Sequence, residues 1–338
     1  MCGRPTLGST TPHYGGAATT NYGARMRVVG VMEFGGPEAF GVYELPDPHA
    51  GPGEVRIRVH AATVNPTDTY TRNGARAEML KAVGPPPYVP GMDAAGVLDE
   101  IGEGTVTDLA VGEHVMAIVI PSGSHGAYSE YIVVPAGSVV RVPKGTTDVE
   151  ASTLPMNGLT ARLSLDLLGL QPGQTLAVTG AAGCYGGYVV QLAKADGLFV
   201  IADASEADEA LVKSLGADVV VRRGDDVAER IRAVVAEGVD GLADGAVQNE
   251  LVLAAIRDGG GMASVRGYSG GTERGIVHHP VWVRDYGTAR DELDRLRQQA
   301  EEGLVTLRVL ATFPADQAGE AHRRLEAGGT RGRLVIEL

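Results

Sequence analysis

The segment Val178–Lys194, VTGAAGCYGGYVVQLAK, constrains this chain more than any other. Small and apolar residues run into a turn holding Gly180, Gly183 and Gly186. Tyr185, Tyr188, Val189 and Leu192 then recur at helical spacing. The order is strand, tight turn, helix. Glycines let such a turn close sharply, approach phosphate oxygens and seat the helix against a sheet. The helix start adds unpaired N–H groups and a favourable dipole, both suited to an anion. Gly180, Ala181, Ala182, Gly183, Cys184, Tyr185 and Gly186 are therefore expected to cradle the pyrophosphate of a dinucleotide. Tyr185 is expected to open the helix with its ring over the sheet or the dinucleotide. A purely structural turn is the alternative.

The surrounding pattern supplies the context. TLAVTG, LFVIADA, DVVVR, GLADGAV and GMASVRG alternate with helices predicted over 185–195, 206–215, 226–237 and 249–257. That alternation predicts an α/β unit, a doubly wound parallel sheet of Rossmann type over 151–279. From Met26 to about residue 150 the pattern is different, with short β-like runs broken by Gly and Pro, as in EVRIRVHAATV and EHVMAIVI. Beyond Tyr268 come an amphipathic helix (about 288–302) and the runs LRVLATF and GRLVIEL. Residues 280–338 are expected to rejoin the first unit, making it discontinuous. Residues 1–25, rich in Gly, Ser and Thr, read as a flexible extension.

Composition narrows the function. Lys and Arg number 29 against 42 Asp and Glu, a net charge of −13, which argues against nucleic acid and anionic membranes as partners. Cys2 and Cys184 cannot build a disulfide framework or a cysteine-rich zinc site, so a reducing, cytoplasmic setting is expected. No apolar run approaches the roughly 20 residues of a membrane span. G-x-S-x-G is absent, and hydrolysis finds no support. Asp203 stands where an acid could accept hydrogen bonds from the adenine ribose and repel a 2′-phosphate, which favours NADH. Arg222 and Arg223 follow the next strand and oppose that preference.

Several strings, in order, carry a resemblance: NPTDTYTRNG (65–74), PGMDAAGVLDEIGEG (90–104), GAYSEY (126–131), LPMNGLTA (154–161), the glycine turn and GRLVIEL. Together they resemble the zinc-independent quinone oxidoreductases of the medium-chain dehydrogenase/reductase superfamily. The resemblance implies a GroES-like catalytic domain beside the Rossmann domain, assembly as homodimers, and NADH or NADPH as hydride donor. A quinone, enone or enoyl thioester is the implied small-molecule substrate. Zinc relatives carry Cys where Asn65 stands and His where Met92 stands. An amide and a thioether suit Zn²⁺ poorly, so no metal is expected. The resemblance places Thr160 at the nicotinamide, or else it packs its helix, and sets Ser205 at the adenosine end. Arg223 is placed to swing towards a 2′-phosphate, and Arg333 to reach the cofactor from the returning segment or else to lie on a solvated face. The usual glycine pattern is altered to GCYGG.

Two residues are candidates for the chemistry. The Asn65 amide is placed to donate to the nicotinamide carboxamide or the substrate carbonyl, or else it shapes the turn before Pro66. The Tyr70 phenol is placed to donate to a developing enolate, or else it is a packed aromatic. Asp68 is expected to brace the NPTD turn, with Arg72 pairing with it or lining the cleft. His278 and His279 are adjacent in an extended run and point apart, which disfavours a shared metal. A non-redox cyclase or lyase on the same fold, or a nucleotide-binding protein with little turnover, are the competing readings.

Overall fold

A computed structural model describes residues 23–271 and 273–338, so the extension read over 1–25 lies outside the described residues except at 23–25. The chain opens on a hairpin of β1 (Arg25–Val31) and β2 (Phe40–Pro46). It continues through β3 (Glu54–Thr63), two short helices, α1 (Asp68–Asn73) and α2 (Ala77–Val83), then β4 (Asp93–Ile101), β5 (His114–Ile118), β6 (Tyr131–Pro135) and β7 (Val139–Arg141). The helices α3 (Asp148–Ala151) and α4 (Pro155–Leu168) lead into β8 (Thr175–Thr179), α5 (Cys184–Ala195) and β9 (Phe199–Ala204). Next come α6 (Glu209–Ser214), β10 (Val219–Arg222), α7 (Val227–Val234), β11 (Val239–Asp244), β12 (Ile256–Ser264) and β13 (Val277–Pro280). The last elements are α8 (Arg290–Glu301), β14 (Val309–Pro314), α9 (Ala318–Glu326) and β15 (Arg333–Glu337).

Strand alternation builds the first sheet. Val55, Ile57 and Val59 of β3 are buried while Arg56 and Arg58 face outward. The seven-stranded order is β14-β15-β3-β4-β5-β7, with β6 paired to the first half of β3. Strand β15 thus lies antiparallel to β3, and the C-terminal segment completes the sheet begun before α3.

The second sheet has six parallel strands in the order β10-β9-β8-β11-β12-β13. Both faces are covered, so its strands are apolar throughout: Leu176, Val178, Val200 and Ala202 enter one core, Ala177, Ile201 and Leu242 the other. The order reverses between β8 and β11. Such a reversal opens a crevice at the carboxyl ends of those strands, and ligands bind there in open α/β sheets.

Some elements differ from the sequence expectation. The helix predicted over 249–257 is a 3₁₀ segment over Asn249–Ala255, and β12 begins at Ile256. Gly259, Gly260 and Gly261 sit inside β12 although glycine weakens a strand. Gly259 adopts a positive φ of 69°, and packing holds Gly260, where a Cβ would lie 2.6 Å from Ile256 Cγ2 and 2.9 Å from the Asp240 carbonyl. Helices α1, α2 and α9 and the short edge strand β13 carry too little periodicity to be foreseen.

Candidate active site

The glycine turn sits at the sheet reversal, as its spacing requires. Gly180 adopts φ 66°, and a Cβ there would lie 2.9 Å from the Gly245 carbonyl carbon. A Cβ on Gly186 would collide with the Gly180 carbonyl. Only glycine satisfies either position. Gly183 is the N-cap of α5 and offers no side chain, so no side-chain bond caps this 12-residue helix. Its first amides stay available to an anion.

Three anchors hold the turn. Asp203, at the end of β9, accepts from the Ala181 amide at 3.1 Å. Arg308, beyond α8, donates to the carbonyls of Ala182 (3.1 Å) and Gly183 (2.8 Å) and to that of Arg331 (3.0 Å). With the Gly183 carbonyl pinned, the planar peptide directs the Cys184 N–H the opposite way. Thr179 donates to Asp244 at 2.6 Å, closing the gap between β8 and β11. Tyr185 packs its ring beside Gly245, and its hydroxyl meets Ser164 of α4 at 2.8 Å. The bulky residue is a wedge between α4 and the end of β11.

Around the adenosine end expected for a dinucleotide, Ser205 donates to Asp208 at 2.5 Å. Arg331 grips both oxygens of Asp208, at 2.5 and 2.8 Å. That guanidinium holds the Asp208 carboxyl below its usual range. Burial pushes the Asp203 carboxyl up, against the Ala181 and Gly180 amides and the nearby charge of Arg223. Arg223 itself is exposed and makes no side-chain hydrogen bond or ion pair among the described residues.

A second cluster lies where the two sheets meet. Asp93, with no exposed surface, accepts from the Met156 amide (2.6 Å) and the Asn65 amide (2.8 Å), with Arg333 at 3.4 Å. Asn65 also donates to the Thr63 carbonyl at 3.2 Å and accepts from Arg333. The Asn65 side chain is therefore fully engaged inside the protein and does not face the crevice. Arg333 is likewise buried in this knot, with Nε left unpaired among the described residues. Met92, beside Asp93 in sequence, accepts from the Thr67 hydroxyl at 3.1 Å through its sulfur. An amide with both ends occupied and a thioether already bonded form a poor donor set for Zn²⁺.

Asp68 extends the buried chain. It accepts from the amides of Asn65 (2.8 Å) and Gly91 (3.0 Å) and from the Tyr128 hydroxyl (3.2 Å). Burial outweighs these donors and raises its carboxyl to about 7. Tyr128 also meets His322 Nε2 at 3.2 Å, and burial lowers that imidazole to about 3. With Tyr128 donating to Asp68, the contact requires a neutral His322 protonated at Nε2. Arg72 turns away from Asp68 and pairs with Glu326 of α9.

Thr160, on α4, turns its hydroxyl back to the Met156 carbonyl at 2.6 Å. Tyr70, half-buried on α1, lies under the Arg76 guanidinium, 5.5 Å from the ring centre. No hydrogen bond among the described residues joins Tyr70 to Asn65. The structure thus brings together Asn65 and Arg333, and separately the turn residues with Asp203. Buried Tyr188 of α5 meets Thr153 at 3.4 Å, and burial pushes its phenol up. Asp93, Arg308, Asp244, Tyr128 and His322 escaped the sequence reading; each acts across a long sequence separation with no local pattern.

The Asp68 carboxyl gives a pH prediction. It keeps its proton up to about pH 7 when folded, but only to about 3.9 when unfolded. The native state therefore loses stability from this group as pH rises between those values. Urea unfolding of wild type and Asp68→Asn across that window should show the difference shrinking towards low pH and levelling above 7. A pH-independent difference refutes the assignment.

Comparison with known proteins agrees with this geometry. Residues 51–144 match the alcohol dehydrogenase GroES-like domain family, and 215–336 match the zinc-binding dehydrogenase family. A 2-haloacrylate reductase from Burkholderia sp is 32% identical over 326 residues, covering 89% of this chain and 96% of that protein. The quinone oxidoreductase of Rattus norvegicus is 28% identical over 335 residues, covering 93% and 98%. The structure of the quinone oxidoreductase from Coxiella burnetii superposes with a TM-score of 0.82 at 27% identity, over 93% of this chain and all of that one. With its wound parallel sheet, glycine turn and completed β-rich sheet, the chain belongs to the medium-chain dehydrogenase/reductase superfamily and is an oxidoreductase.

Proposed function

We propose that this protein transfers a hydride from a nicotinamide dinucleotide to the β-carbon of an α,β-unsaturated carbonyl compound, or to a quinone, without a catalytic zinc. The observation that carries the reading is the uncapped α5 N-terminus, held open by Gly183 and by Arg308, at the sheet reversal. Similarity to a 2-haloacrylate reductase and to quinone oxidoreductases supports the substrate class. When bound, the dihydronicotinamide supplies the hydride.

The chain's own residues do the rest. The α5 amides and Gly180, Gly183 and Gly186 hold the pyrophosphate; Ala181, Ala182, Cys184 and Tyr185 complete that turn. Thr160 lines the nicotinamide end from α4. Asn65 is a positioning residue that fixes Arg333, and it does not donate to the substrate. Tyr70 is the candidate proton donor, since its hydroxyl has no hydrogen-bond partner among the described residues. The metal-ligand positions hold engaged amide and thioether groups, so positioning and hydrogen bonding replace Lewis-acid polarisation. A reducing, cytoplasmic setting keeps the free Cys184 thiol intact. No helix of the described residues is long and apolar enough to cross a membrane.

NADH is the proposed preferred donor, because Asp203 and Asp208 put two carboxylates near the ribose while Arg331 is committed to Asp208. Arg223 remains the one cation there with no ion pair among the described residues. The assembly is a homodimer through the edge strand β13, where Val277 is 51% and neighbouring Trp282 42% exposed.

The protein should oxidise NADH in the presence of an enone, enoyl thioester or quinone, followed by nicotinamide absorbance. Tyr70→Phe should lower kcat by about 100-fold with cofactor affinity unchanged; wild-type turnover in that variant returns Tyr70 to packing. Fluorescence titration should show NADH binding more tightly than NADPH. Arg223→Ala should weaken NADPH by about tenfold and leave NADH nearly unaffected, the loss of one charge-assisted contact. Equal losses for both cofactors would dismiss Arg223 as a reader of the 2′-phosphate. Sedimentation equilibrium should give twice the chain mass, falling to one chain in Val277→Lys; a wild-type monomer contradicts the dimer.

A further inference from the structure

A cluster outside the crevice is unclaimed by the chemistry above. His60 of β3, His114 of β5 and Asp148 at the start of α3 converge over the sheet. His60 Nδ1 stands 2.7 Å from Asp148 Oδ2. His114 Nδ1 stands 2.9 Å from Oδ1 and 3.1 Å from Oδ2 of the same carboxylate. One ligand atom from each of the three lies within 4.8 Å of the others.

The backbone is shaped to bring these groups together. Pairing of β3 with β4 shifts register between Val59 and Ala61, so His60 occupies a bulge. A bulge redirects the side chain it carries. Gly96 of β4 makes the bulge possible, because a Cβ there would collide with the Arg58 carbonyl and lie 2.9 Å from the His60 amide. His114 pairs with Val97 across β4's other edge, on the face that carries Arg58 and His60. Asp148 is fixed by the capping box of Thr147 and Glu150.

We infer that His60, His114 and Asp148 bind a divalent transition-metal ion of the Zn²⁺ class, at a site separate from Asn65 and Met92. Two imidazoles and one carboxylate are a recurrent ligand set for such ions, whereas Ca²⁺ and Mg²⁺ prefer oxygen ligands alone. The side chains of His60 and His114 are 37% and 56% exposed, leaving water to complete the coordination. Small rotations bring the three atoms to the ~2.0–2.2 Å distances that zinc requires, with the ion replacing the protons the imidazoles share with Asp148. The bound ion ties α3 to β3 and β5. Helix α3 leads directly into α4, whose Met156 amide holds Asp93, so the ion staples the junction between the two sheets.

The test uses the full chain, with any affinity tag removed and metals stripped by chelator. Titration with Co²⁺ should produce a visible d–d band saturating at one ion per chain, and Zn²⁺ should abolish it by displacement. Zn²⁺ should also raise the melting temperature of the wild type. His114→Ala, at a mostly exposed position, should fold normally, lose at least about tenfold in Co²⁺ affinity and lose the melting response. His49→Ala, at an exposed position between β2 and β3, should behave as wild type. No band and no melting shift in the wild type would show a hydrogen-bonded trio only and overturn the site. So would equal binding by His114→Ala, or loss of binding in His49→Ala.

Discussion

The crevice depends on a carboxylate with no access to water. Burial makes the charged form of Asp93 costly, and the Arg333 guanidinium, the Asn65 amide and the Met156 N–H offset that cost. These donors come from β15, the segment just after β3 and the start of α4, so satisfying one charge ties three parts of the chain at once. Removing one partner of such a group typically costs about 3–5 kcal/mol, because the remaining charge is left buried. The two sheets are thus aligned by electrostatic necessity as much as by apolar contact.

This arrangement also explains why an amide suits position 65. Without a metal, a thiolate there would set a second negative charge beside Asp93. A neutral side chain that donates to Asp93 and accepts from Arg333 avoids that repulsion. The Asn65 amide thereby closes a hydrogen-bonded network with Asp93 and Arg333.

How much of this was legible in the sequence follows from the range of each interaction. The glycine turn was readable because strand, turn and helix are contiguous and glycine is sterically required at two positions. The wound sheet was readable from its continuous apolar strands. Arg308 was not, since it reaches Gly183 across 125 residues. Nor was the Tyr128–His322 contact, separated by 194, or the Arg333–Asp93 pair, separated by 240. Asn65 was read as a donor to the nicotinamide or the substrate, or else as a turn residue, because its engagement with Thr63, Asp93 and Arg333 depends on tertiary placement. Tyr185 was expected over the sheet or the dinucleotide, and only the fold reveals its Ser164 partner and its role as a wedge.

The bare N-terminus of α5 carries a thermodynamic consequence. Thr147 closes α3 with its own hydroxyl, whereas Gly183 leaves α5 waiting for an outside anion. Under the proposed function the dinucleotide belongs to the secondary structure, finishing a helix that the polypeptide leaves incomplete. Folding and occupancy share one free energy, and a hundredfold excess over the dissociation constant adds about 2.7 kcal/mol to the native state. In a cell rich in its coenzyme, this protein is most resistant to unfolding when it is also ready to react.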